Sequence, residues 1–246
     1  MSEFTTFKGL ARVASVELLL ILRDPMAAFF AVAFPLVLLW VKMHTADPLP
    51  GGLPIVAATV PMLSTFVIGL ATLVVLPATI AQYRERRILK RLRATPASSV
   101  LLLTVQWAAH LLLAVVGTVL LIVVGVVAFD LGAPANTGSV VLAWLLGAMS
   151  LGAIGLLLGA VLPSTRGATV IGLTLFFPMV FLSGAMIPRE LASPSMRSIG
   201  DLLPLAPVVQ SLRAGWTGEA LSMVHLGVMV AIFVVAGGLA VRLLRG

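Results

Sequence analysis

The 246-residue chain is 60% hydrophobic and only 10% charged, where an ordinary soluble domain carries about 25%, so a soluble globular fold is excluded. With a mean hydropathy of +1.15 it is better counted in membrane spans, each needing roughly 20 apolar residues. The net charge of +7 does not argue for nucleic acid, because the basic residues cluster beside apolar runs, where lipid headgroups attract them. Without cysteine there can be no disulfide framework, thiolate nucleophile or thiolate metal site.

In chain order, residues 3–22 place Thr5, Lys8, Arg12 and Ser15 on one helical stripe and Phe4, Phe7, Ala11, Ala14 and Leu18 on another. That pattern predicts a helix lying in the interface plane. A secretory signal is disfavoured, because the apolar run 26–41 follows acidic residues and lacks a cleavage site. Asp24-Pro25 supplies a cap and a first helical residue. Six spans are then predicted over 26–43, 55–80, 100–128, 139–162, 168–187 and 221–241, which makes the chain an all-α integral membrane protein. The connections are 44–54 with His44, a basic block at 83–96, 130–138, 163–167 and 188–220. The last is too apolar in 202–209 for a free loop, and Pro204 and Pro207 break it. It reads as short re-entrant or interfacial helices that need protein cover for their backbone.

Orientation follows from the basic residues. Twelve (Lys8, Arg12, Arg23, the six of the basic block, Arg166, Arg242 and Arg245) fall on one side, and four (Lys42, Arg189, Arg197, Arg213) on the other. Both termini are therefore expected in the cytoplasm.

Catalytic chemistry is scarce. Lys8, Lys42 and Lys90 precede Gly, Met and Arg, so no Walker A phosphate loop can be drawn, and ATP would have to be bound by another polypeptide. No Asp or Glu falls inside the six predicted spans, which lowers an ion-coupled secondary carrier, the alternative reading. His110 on the third span is either a proton relay or, as preferred here, a neutral histidine bonded to a neighbouring helix. Ser183 paired with His110 or His225 would imitate a hydrolase dyad, but no spacing brings them together.

Gly155 and Gly159 form a close-packing motif, and Thr65, Gly69 and Thr72 a comparable stripe on the second span. Packing within one bundle competes with a dimer or pathway face in both cases. Phe176, Phe177, Met179 and Phe181 on the fifth span offer an apolar wall facing either a pathway or lipid. The basic block carries more than topology requires. Ile88, Leu89 and Leu92 add an apolar face among Arg84, Arg87, Lys90, Arg91 and Arg93, as a docking helix would.

Four stretches together, LRDP (22–25), RERRILKRLRATP (84–96), FLSGAMIP (181–188) and LLPLAPVVQSLR (202–213), in this order around six spans, resemble the membrane subunits of type-2 ABC exporters, including daunorubicin-resistance permeases. The resemblance implies a single permease domain over 1–246, with a connecting helix at 3–22, a cytoplasmic coupling helix at 84–95 and an external re-entrant segment at 188–218. It implies docking of a separate ATP-binding subunit through Arg84, Glu85, Arg87, Ile88, Leu89, Arg91 and Leu92, with Glu85 docking or bracing the loop. A second permease copy, as homodimer or heterodimer, would complete a pathway at the second and fifth spans, where Thr65, Gly69, Thr72, Phe176, Phe177, Met179 and Phe181 lie. On this reading the chain is no enzyme and holds no metal or cofactor, ATP and Mg being bound by the partner. It sits in the inner membrane among lipids and exports lipophilic drugs, antibiotics or lipids.

Overall fold

The computed structural model describes residues 29–45, 54–86 and 99–245, and every regular element among them is helical. A π-turn, Phe29–Ala33, leads into α1 (Phe34–Thr45). Then follow α2 (Ile55–Glu85), α3 (Ser99–Phe129), α4 (Thr137–Val161) and α5 (Thr165–Leu182). A short 3-10 turn at Arg189–Leu191 precedes α6 (Pro194–Gly200), α7 (Ala206–Thr217) and α8 (Met223–Arg245). Among the described residues five stretches are long and apolar enough to cross a membrane: Ile55–Glu85, Thr104–Phe129, Thr137–Val161, Thr165–Leu182 and Met223–Leu243.

Local chemistry fixes the helix ends. Asn136 and Ser164 accept hydrogen bonds from the Ser139 and Gly167 amides and so start α4 and α5. The fifth helix, expected to reach 187, stops at Leu182, with Gly184 nearby at φ +94, a conformation open to glycine. The second helix, expected to end at 80, continues to Glu85. His44, expected in a loop, belongs to the last turn of α1, where Nδ1–H donates to the Trp40 carbonyl at 2.8 Å.

The centre of the bundle is α2, whose most apolar stretch is 83% buried, against 22% for α5 and 17% for α8. It packs on α1, α3, α4, α5 and α7, while α8 lies mainly on α4. Within α2 the stretch Leu70–Val75 widens into a π-turn, and the Leu76 amide reaches back to the Ala71 carbonyl. Pro77 supplies the reason. It has no N–H to offer the Leu73 or Thr72 carbonyl, whichever pitch the helix takes. Both carbonyls face glycines. A Cβ on Gly155 of α4 would overlap the Thr72 oxygen, and one on Gly172 of α5 would lie 2.7 Å from the Leu73 oxygen. Gly159, one turn on, sits against Ile80. The Gly155–Gly159 motif therefore packs within the chain, letting α4 touch the α2 backbone.

Between α5 and α8 the chain forms a helical hairpin, α6 then α7. The carbonyls of Trp216 and Gly215 at the end of α7 accept from the amides of Ala135 and Asn136 at the start of α4. From there α7 returns toward the interior, where Leu205 lies beside Gly69 of α2. Twelve helical residues correspond to about 18 Å of descent. Val208 fits against Gly147 of α4, and Val140 against Gly215.

Candidate coupling brace and transport face

At the end of the bundle where α2 leads into the basic block, two consecutive charged residues reach two different helices. Arg84 donates to the Ala160 carbonyl in the last turn of α4. The Glu85 carboxylate accepts from the Thr165 hydroxyl at 2.6 Å, in the first turn of α5. A cation at a helix C-terminus and an anion at an N-terminus both match the helix dipoles. The root of the basic loop is thus tied to both sides of the α4–α5 turn.

Above this brace runs a buried polar seam between α2 and α3. Gln106 donates from Nε2 to the Tyr83 hydroxyl at 2.9 Å, and its backbone carbonyl accepts from His110 Nδ1 at 2.7 Å. Nε2 lies 3.4 Å from the Thr79 hydroxyl, whose own proton goes to the Val75 carbonyl at 3.0 Å. The buried histidine is held by a carbonyl of its own helix and lies against Thr79 of α2. The Ser183 hydroxyl has no hydrogen-bond partner among the described residues, so it forms no dyad with His110 or His225 there.

Residues expected along a pathway divide into two groups. Thr65, Gly69, Thr72 and Phe176 are buried within the chain's own bundle. The Thr65 and Thr72 hydroxyls return to the Pro61 and Ile68 carbonyls of their own helix. Phe176 covers Gly69 and stacks edge-on with Phe66 at 5.2 Å. Met179 is partly buried against the same core, whereas Phe177 and Phe181 are each 43% exposed on the outer face of α5. The aromatic contacts continue from Phe176 to Phe177 at 5.8 Å, linking core and surface.

At the opposite end, Arg189 and Asp201 form a two-pronged ion pair, with the second prong at 2.7 Å, and Gln210 donates to the same carboxylate at 3.1 Å. Hydrogen bonds from Arg189 hold the Asp201 carboxyl below its ordinary value. Both partners are partly exposed, so the pair contributes modestly. A carboxyl lowered on folding stabilises above its unfolded value of about 4 and loses that contribution as pH falls toward the folded one. Asp201→Asn should therefore lose less thermal stability than the parent protein between pH 5 and 3, as read by detergent-phase melting. Lys42 donates to the Met186 carbonyl at 2.9 Å and ties α1 to this end.

A family model for ABC-2 type transporters matches residues 10–216. The chain belongs to the ABC-2 type transporter family. No curated protein matches it. ABC-2 permeases work with ATP-binding subunits, and this chain is accordingly a multi-pass membrane permease of the ABC type.

Among the ABC-2 coupling residues expected from sequence, Arg84 and Glu85 are the final helical residues of α2, not the start of a separate helix. Arg87, Ile88, Leu89, Arg91 and Leu92 lie outside the described residues, as does the segment 3–22. Three participants escaped sequence reasoning. Thr165 and Ala160 carry no chemical signature beyond the Ser164 cap beside them. Asp201 was legible only as an acid twelve residues after Arg189.

Proposed function

We propose that this chain is the permease half of an ATP-driven exporter of lipophilic or amphipathic compounds, working as a dimer beside a separate ATPase. The observation that supports it best is the Arg84–Glu85 brace, which joins the root of the basic loop to α4 and α5 at once. A push on that segment by a partner reaches two helices directly through the Arg84 and Glu85 side chains, a contiguous link of the kind coupling between sites uses. The basic end faces the cytoplasm by the positive-inside excess. With α1 counted among the spans there are six, and α6–α7 dips into the bilayer from outside, α7 packed on α2 and α4 and α6 on α5.

The pathway runs between two copies along α5, where Phe177 and Phe181 present an apolar wall, and the buried set Thr65, Gly69, Thr72 and Phe176 moves when α2 and α5 shift. The chain itself binds no nucleotide or metal and does no covalent chemistry. Apolar walls favour drugs, antibiotics or lipids over sugars.

Reversing Arg87 and Arg91 together to Glu is the direct test. Co-reconstituted with its ATPase, the double variant should lose at least tenfold of cargo export while ATP hydrolysis becomes insensitive to cargo. Unchanged export would exclude docking at this loop, and concentrative uptake by the chain alone under an ion gradient would overturn the whole assignment.

A further inference from the structure

We propose that the cavity between the end of α5 and α7 binds a small uncharged group carrying several hydroxyls, either a free polyol or the polar end of a membrane amphiphile. Binding there needs no ATPase, so it stands or falls separately from the export reading above.

The cavity holds about 280 Å³, just under the roughly 300–1,000 Å³ of pockets for drug-sized ligands, so its guest is small or one end of something larger. Met62 of α2 and Val209 of α7 give it an apolar wall, and Ser183, Gln210 and Glu219 give it hydrogen-bonding groups. Ser183, the residue after the last of α5, is only 3% exposed, and its hydroxyl has no hydrogen-bond partner among the described residues. Buried hydroxyls are normally paired, so an oxygen of the guest supplies the acceptor that this donor lacks. Gln210 spends its Nε2 on Asp201 at 3.1 Å, which leaves the amide oxygen as an acceptor, and the Glu219 carboxylate is a second. A guest that both accepts and donates matches such a wall, and a hydroxyl does both through one atom.

Charge points the same way. Arg189 is held by both oxygens of Asp201, and Arg213 is already engaged within the chain, so neither guanidinium calls for an anion. Arg213 and Glu219, the other charged residues of the lining, are opposite in sign. The wall as a whole favours neither an anion nor a cation, whereas a neutral polyol gives up no ionic hydration on entering.

Saturation-transfer NMR on the purified full chain in nanodiscs, without any ATPase, would compare glycerol, methyl phosphate and ethylammonium. Glycerol alone should receive saturation from the protein. Ser183→Ala should weaken glycerol binding about three- to tenfold, the worth of one neutral hydrogen bond, while its thermal midpoint holds or rises because an unpaired buried hydroxyl is gone. Val209→Phe fills the cavity and should abolish the glycerol signal, and if that variant does not fold, Ser183→Ala still decides. Monolauroylglycerol as competitor identifies the source: displacement at a much lower concentration than glycerol marks the head of an amphiphile, and equal potency a free polyol. Equal saturation of methyl phosphate or ethylammonium would overturn the choice of a neutral guest. A lowered midpoint in Ser183→Ala would show that the hydroxyl is paired in the fold, and together with glycerol binding undiminished in that variant, or absent from the parent, it would leave a cavity that holds only water and overturn the proposal.

Discussion

Gly155→Leu should abolish recovery of folded protein, because the added side chain has no volume to enter. Its Cβ alone would overlap the Thr72 carbonyl oxygen, and Leu76 stands 3.3 Å away on the other side. The Thr72 backbone cannot swing clear. It sits in the π-turn imposed by Pro77, in a helix packed on all sides. Ordinary overpacking costs about 1–3 kcal/mol, where neighbouring side chains can give way; here the obstacle is backbone. Against a total stability of about 5–15 kcal/mol, the leucine variant should leave only aggregate in size-exclusion chromatography. Gly155→Ala adds only that Cβ and should lower the thermal midpoint by at least roughly 6–12 °C, for a loss of about 3 kcal/mol or more. Gly238→Ala provides the control. Nothing lies within 4 Å of its Cβ position, and alanine favours helix over glycine, so the midpoint should hold or rise slightly. Recovery of Gly155→Leu with a parental midpoint would mean that α2 and α4 do not pack this way.

The same contact shows where sequence reading succeeds and where it stops. Gly155 and Gly159 were visible as a close-packing motif, yet their partner was not, because the Thr72 carbonyl that Gly155 covers becomes special only through Pro77, more than seventy residues earlier. Span positions were legible, since hydropathy alone reports them, but their ends were moved by local chemistry at Gly184 and the Ser164 cap. The stripe Thr65, Gly69 and Thr72 marked α2 as important without saying which way it faces. Lipid and protein interior are equally apolar, so a helix hydrophobic on all sides carries no directional signal. Only three dimensions show α2 at the centre and α5 with Phe177 at the surface. Likewise Arg189 and Arg213 counted simply as external charges until the hairpin brought Asp201, Gln210 and Ser183 around them.

Swapping the two brace charges, Arg84→Glu with Glu85→Arg, should uncouple the permease while leaving it folded. In the parent, Arg84 sits at the C-terminal carbonyls of α4 and Glu85 at the N-terminus of α5, each favoured by about 0.3–1 kcal/mol at an exposed helix end. The swap makes both dipole interactions unfavourable and removes the hydrogen bond from Thr165. The stability loss is then of the order of 1–4 kcal/mol, tolerable for a bundle whose core lies elsewhere. Coupling is affected more severely, because the loop root loses its two attachments and a push on it is absorbed locally. Export by the reconstituted complex should fall at least tenfold, while the ATPase still co-purifies. Glu85→Gln separates charge from geometry. Its amide oxygen can still accept from Thr165, so export should fall less than about threefold. If the double swap exports like the parent at an unchanged thermal midpoint, force does not travel from the basic loop through α4 and α5. If only stability drops and coupling survives, Arg84 and Glu85 are caps for two helices and nothing more.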